Sequence, residues 1–146
     1  MFKRPAISLE QAQAAMKAML EKAMQPPATP LAFAIVDDAG ILVAYAQMDD
    51  LRLFTRRHAI RKAYTAAITG RNSGDHGEWI KSRGLTVSDL GGDPDLTPAY
   101  GGVVVRPSNA QGDFHTNIMG GIGVGGYPNG KSDEEIALIG LRAMNV

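Results

Sequence analysis

Three histidines, His58, His76 and His115, are the imidazoles of this 146-residue chain, and a neutral imidazole can move a proton or bind a metal ion. His58 stands one helical turn before Lys62 and beside the basic pair Arg56-Arg57, which is the spacing of an anion site and equally of a solvated helix face. His76 lies in G-D-H-G-E between Asp75 and Glu78, a setting for acid-base or hard-metal chemistry. No second histidine stands at the spacing a zinc site needs, so no metal site is expected from these residues alone. Lys62, Tyr64 and Arg71 make a further group, in which a cation near a glycine loop could hold a carboxylate; the plain reading is a surface cation. The acidic pairs Asp37-Asp38 and Asp49-Asp50 read as turn and strand-end residues. The catalytic candidates are therefore His58, His76 and Lys62.

His115 gains its interest from its neighbours in the chain. Read as a strand from Phe114, period two puts Phe114, Thr116, Ile118, Gly120, Ile122 and Val124 on one face. The other face carries His115, Asn117 and Met119, then Gly121, Gly123 and Gly125, and is nearly bald. Such a run of glycine marks a place where a ligand or another backbone comes very close. Gly121, Gly123 and Gly126 also satisfy G-x-G-x-x-G, whose amides can hold phosphate at a helix start. Only about twenty residues remain after it, with no second strand to complete a dinucleotide-binding unit, so close packing against a neighbour or a flat ligand is the better reading. Ser132 with Glu135 then forms the pattern of a capping box opening the last helix. The ligand-contact candidates are His115, Gly121, Gly123, Gly125 and Gly126, with Lys62 and Arg71 as the cations.

These groups need elements to hold them. Ser8 with Gln11 is another capping box, and Leu9, Ala12, Met16, Met19, Leu20 and Ala23 recur at helical spacing, which predicts a helix over Ser8 to Met24 ended by Pro26, Pro27 and Pro30. Leu31 to Val36 and Ile41 to Met48 flank D-D-A-G and predict a β-hairpin. Its Leu31, Phe33 and Ile35, with Ile41, Val43 and Tyr45, form large sets, while Ala32, Ala34, Ala44 and Ala46 form a small face on which a helix can lie close. A second helix is expected over Thr55 to Thr69, stopped by Gly70, and a short third one from Asp75. Residues 85–102 read as a long loop, Val103 to Arg106 as a short strand, and Ser132 to Met144 as the last helix.

The totals bound the function. One domain spanning 1–146 is long enough to bury a core. Fifteen basic and fifteen acidic residues balance, which gives no electrostatic footprint for nucleic acid or an anionic membrane. Zero cysteines exclude disulfides and thiol catalysis. No stretch approaches the apolar length of a membrane span and the N-terminus lacks a signal-peptide core, so a soluble, cytoplasmic protein is expected.

Three stretches together resemble the GlcG/HbpS haem-binding family, which includes the C-terminal haem-binding domain of PduO-type corrinoid adenosyltransferases. They are P-L-A-F-A-I-V-D-D-A-G-I-L-V-A-Y-A-Q-M-D from Pro30, H-A-I-R-K-A-Y-T-A-A from His58, and M-G-G-I-G-V-G-G from Met119 with the later D-E-E-I-A. The resemblance covers most of the chain. It implies an α+β fold in which a single antiparallel sheet of about five strands is flanked by helices, a profilin-like sandwich, with elements in the order α-β-β-α-α-β-β-α. It also implies a homo-oligomer, often an octamer, and haem as cofactor. His115 is then the candidate haem iron ligand, since the bald glycine face beside it could take a flat macrocycle, and Met119 a weaker one. A surface or hydrogen-bonded histidine is the plainer reading of His115. Three functions stay open: a haem or tetrapyrrole-binding protein that stores, senses or sequesters the cofactor; an isomerase, tautomerase or hydratase of small organic acids with a carboxylate site at the glycine loop; and a structural oligomeric subunit without catalysis.

Overall fold

Ser8 closes its capping box as expected: its hydroxyl accepts from the Gln11 amide at 3.0 Å, and the Gln11 side chain accepts from the Ser8 amide at 2.9 Å. There α1 (Leu9–Ala23) begins. The computed structural model describes residues 4–110 and 116–146. After α1 come β1 (Ala32–Asp37), β2 (Leu42–Gln47), α2 (Leu53–Thr69), α3 (Ser73–Ser82), a 3-10 turn at Val87–Leu90, β3 (Gly102–Val105), β4 (Gly120–Gly125) and α4 (Gly130–Met144). The order is the one expected, and the fold is α+β. The four strands form one antiparallel sheet in the order β2-β1-β4-β3. That is four strands among the described residues, against the figure of about five that the resemblance implies.

Helices cover both faces of the sheet. On one side α1 and α4 pack together over Phe33, Ile35, Ile122, Val124, Val103 and Val105, which form the larger core with Met19 and Leu31. On the other side α2 lies on Ala32, Ala34 and Val36 through its own Ala59, Ala63 and Ala67. No helix is long and apolar enough to cross a membrane among the described residues.

One pairing differs from the period-two reading, and a bulge explains it. Val36 pairs with Leu42, but Ile35 pairs with Ala44, so Val43 is an extra residue on β2. An inserted residue flips every later side chain to the opposite face. Phe33 and Ile35 therefore share their face with Ala46 and Ala44, and Tyr45 stands opposite Ala34 on the α2 side. Large is set against small across the hairpin, rather than large with large.

The start of α4 also differs. Asn129, not Ser132, caps it, its side chain accepting from the Lys131 amide at 2.9 Å, and the helix opens two residues earlier than the Ser132–Glu135 pattern indicated. Asn129→Ala is expected to lower stability by about 1 kcal/mol, and Ser132→Ala by less than about 0.5 kcal/mol, in urea denaturation. The reverse order would restore the Ser132 cap.

Candidate functional site

On α2, residues 54, 58 and 62 follow the helical i, i+4 spacing, so Phe54, His58 and Lys62 share one flank of the helix. That flank forms one wall of a cavity of about 630 Å³. The opposite wall comes from Gly126, Tyr127 and Pro128 after β4 and from Gly130 and Asp133 at the start of α4. Ala99 and Tyr100, at the end of the long loop, close a third side, and Pro30, Leu51 and the exposed Arg52 complete the lining.

The deepest polar groups are Lys62 and Asp133, which are 2% and 1% exposed. The Lys62 ammonium donates to Asp133 Oδ2 at 2.9 Å and to the Val124 carbonyl at 3.0 Å. Asp133 Oδ1 accepts from the Tyr127 amide at 3.0 Å, so the same carboxylate fixes the loop between β4 and α4. Burial pushes the Asp133 carboxyl up, and the Lys62 ammonium and the Tyr127 amide pull it back down. Room for the lysine depends on Gly101: its φ is +127°, and a Cβ there would lie 2.7 Å from Lys62 Nζ.

His58 sits higher on the same wall, half-buried, with its ring 4.9 Å from that of Phe54. Burial first, then the Lys62 and Arg61 charges, hold its pKa down at about 4. The imidazole is therefore neutral at physiological pH.

The remaining candidates fall elsewhere. His76 is 4% exposed on α3, stacked on Trp79 at 6.2 Å between ring centroids, and does not line the cavity. Neither of its ring nitrogens has a hydrogen-bond partner among the described residues, and burial, then Arg71, lowers its pKa. The Arg71 guanidinium lies 4.3 Å from the Trp79 ring centroid and borders a separate shallow groove with Asn72, Asp75 and Arg106. Its grouping with Lys62 at one site is corrected by this placement. His115 lies outside the described residues.

The bald strand face is covered by α2. A Cβ on Gly121 would run into the Ala63 carbonyl oxygen, and one on Gly123 into the Ala59 carbonyl oxygen. The close approach read from the glycines is thus made by a neighbouring backbone, and of the glycine candidates only Gly126 borders the cavity. The slot expected for a flat ligand on Gly121, Gly123 and Gly125 is filled by a helix. Asp133, Tyr100 and Phe54 are the site residues the sequence reading missed. For Phe54 the i, i+4 spacing to His58 was a signal; for Asp133, 71 positions from Lys62, the signal was its place in the D-E-E-I-A stretch, with nothing to link it to the lysine.

Comparison with known proteins agrees with the architecture. The model of the family described as haem-degrading protein, HbpS-like, matches residues 7–142. No curated protein matches the sequence. A double mutant of HbpS from Streptomyces reticuli is 25% identical, with a TM-score of 0.81 over 97% of this chain and 89% of that one. The PduOC–haem complex is 24% identical, with a TM-score of 0.79 over 97% of each chain. ORFY of Klebsiella pneumoniae is 20% identical, with a TM-score of 0.82 over 100% of this chain and 95% of that one. The last two likenesses carry the fold alone.

Proposed function

Because the chain belongs to the haem-degrading HbpS-like family, we propose that it binds haem or a related tetrapyrrole in the cavity between α2 and the start of α4, with His58 as the imidazole that meets the iron. The observation that carries this reading is an imidazole held unprotonated, at a pKa of about 4, on the wall of a cavity of about 630 Å³. An iron needs the neutral form of histidine, and this one stays neutral across the physiological range. The other residues present fit the group. Phe54, Leu51, Pro30 and Pro128 offer apolar surface to the macrocycle, and the exposed Arg52 is a cation on the lining that could pair with a propionate. Bound haem supplies a redox-active iron. The chain itself supplies the donor, the apolar walls and a fixed polar floor.

Solvent-exposed Leu53 and Phe54, at 76% and 69%, and Ile41 beside the edge strand β2 support assembly into a homo-oligomer. The match to the family described as haem-degrading, HbpS-like, supports haem as the ligand. The organic-acid reading has less support, since the Lys62 ammonium it needed for a substrate carboxylate is already engaged by Asp133.

Titration of the purified protein with hemin tests the proposal. A saturable Soret shift is expected, weakened and displaced in His58→Ala and retained in His76→Ala. If the shift depended on His115 and not on His58, the ligand would be reassigned to His115; if no saturable shift appeared, the tetrapyrrole reading would fall.

A further inference from the structure

The floor of the cavity has a donor that the described residues leave available to a ligand. A lysine ammonium has three N–H groups. Two of those on Lys62 are taken, by Val124 O at 3.0 Å and Asp133 Oδ2 at 2.9 Å, and the third has no acceptor among the described residues, although Lys62 lines the cavity. A ligand that reaches the floor displaces the solvent that meets this N–H, so one that returns an acceptor there keeps its affinity and one that does not loses it. The donor is also fixed in place: the side chain is 2% exposed, held at two points and backed by Gly101.

The charge of the site decides which oxygen fits. Lys62 and Arg52 are balanced by Asp133 and Asp50 among the lining groups, and His58 is neutral. A carboxylate brought to the floor would lose its hydration and meet Asp133 beside the ammonium, with no excess positive charge to compensate. A carbonyl oxygen accepts the same N–H and brings no charge.

Resting on the tetrapyrrole reading above, we propose that the inner end of the cavity recognises an uncharged carbonyl oxygen through the third N–H of Lys62, so that the ligand class it takes best is an open-chain tetrapyrrole with terminal lactam carbonyls. Closed macrocycles with two propionates carry no such group. They enter the cavity with their carboxylates directed to solvent and the exposed Arg52, and leave the floor donor without an acceptor.

Biliverdin and protoporphyrin IX make a matched pair of probes: both are metal-free and carry two propionates, and only biliverdin has lactam carbonyls. The expected result is that biliverdin binds at least about tenfold more tightly than protoporphyrin IX. The preference is expected to collapse to about onefold in Lys62→Met/Asp133→Asn, which removes both charges while keeping an acceptor for the Tyr127 amide. A second measurement needs no variant: the lactam carbonyl stretch of biliverdin should move to lower wavenumber on binding the wild-type protein. Equal or weaker binding of biliverdin, with saturable hemin binding intact, would overturn this inference and leave the haem site standing. An unshifted carbonyl stretch in bound biliverdin would overturn it too. Failure of hemin, protoporphyrin IX and biliverdin alike would overturn both proposals.

Discussion

Gly123→Ala is expected to lower the stability of the protein by about 3 kcal/mol, at the upper end for an overpacked site. At this chain length that is a fall in Tm of roughly 6–12 °C. The new methyl would lie 2.5 Å from the Ala63 amide nitrogen and collide with the Ala59 carbonyl oxygen. Both are backbone atoms in the middle of α2, so no rotamer change can relieve the contact. Relief requires α2 to lift from β4, which opens the cluster that Ala59 and Ala63 make with Ala34 and Val36. Gly125→Ala is the graded control, because its methyl would meet the Thr55 methyl at 3.1 Å, a contact that a small shift relieves. Its loss should stay below about 1 kcal/mol. Urea denaturation of the three proteins decides the matter. A Gly123→Ala variant as stable as the Gly125→Ala one would mean that α2 does not rest on the strand backbone.

Lys62→Met should be at least as damaging, at about 3–5 kcal/mol, because it leaves the Asp133 carboxylate buried without its counter-ion. Replacing both partners is a different experiment. Lys62→Met/Asp133→Asn removes the charges together and is expected to recover most of the loss, giving a coupling of about 2–3 kcal/mol in a double-mutant cycle. The single variant carries a pH signature. Burial already raises the Asp133 pKa above its ordinary 3.8, and removing Lys62 removes the charge and the hydrogen bond that lower it, leaving only the Tyr127 amide to do so. A carboxyl whose folded pKa is raised contributes stability that is present in full below the unfolded value and lost as pH rises through the folded one. The deficit of Lys62→Met should therefore shrink as the pH is lowered from 7 towards 4, whereas that of the double variant stays flat over the same range. A deficit that did not change with pH would show that the Asp133 pKa in that variant is not raised above its value in the unfolded chain.

How legible the molecule is in its sequence depends on whether the deciding interaction is local. The limits of α1 follow from the Ser8–Gln11 box and the prolines beyond it, and the end of α2 from Gly70, which closes the helix in the left-handed conformation with φ 72°. These are contacts within a few residues. The glycine face was legible in kind, as a place of close approach, but the sequence could not say that the approaching body was α2 rather than a ligand. The start of β4 was placed too early because period two continues unbroken through 116–119, whereas Asn117 has φ 58° and the strand begins only at Gly120. Positive φ at a non-glycine residue leaves no mark in a hydrophobic pattern. Likewise the Val43 bulge reverses the faces of β2 without any residue that announces it.

The candidate site was legible on one side only. His58 and Lys62 were singled out by type and by their one-turn spacing, and the structure puts them on one wall. Their counterparts come from a different part of the chain: Asp133 reads in sequence as an ordinary acid in the first turn of a helix, and Tyr100 as one residue of a long loop. That loop is tied back to α2 by the Tyr64 hydroxyl on Asp93 at 2.7 Å and by the Thr97 amide on Thr65 Oγ1 at 2.9 Å. None of these partners is near in sequence, and only the fold brings them together.

The glycines under α2 also set how much latitude each side of the sheet has for change. Over α1 and α4 the core is built from Phe33, Leu31, Met19, Ile122 and Met144, side chains that can exchange volume with one another and still fill the layer. Between α2 and β4 there is nothing to exchange, because helix carbonyls face a strand stripped to its backbone. An engineer seeking a redesigned interior should work on the first side and leave the second untouched. The cavity walls hang from the helix on that second side, so the part of the molecule that holds the site is also the part with the least freedom to vary.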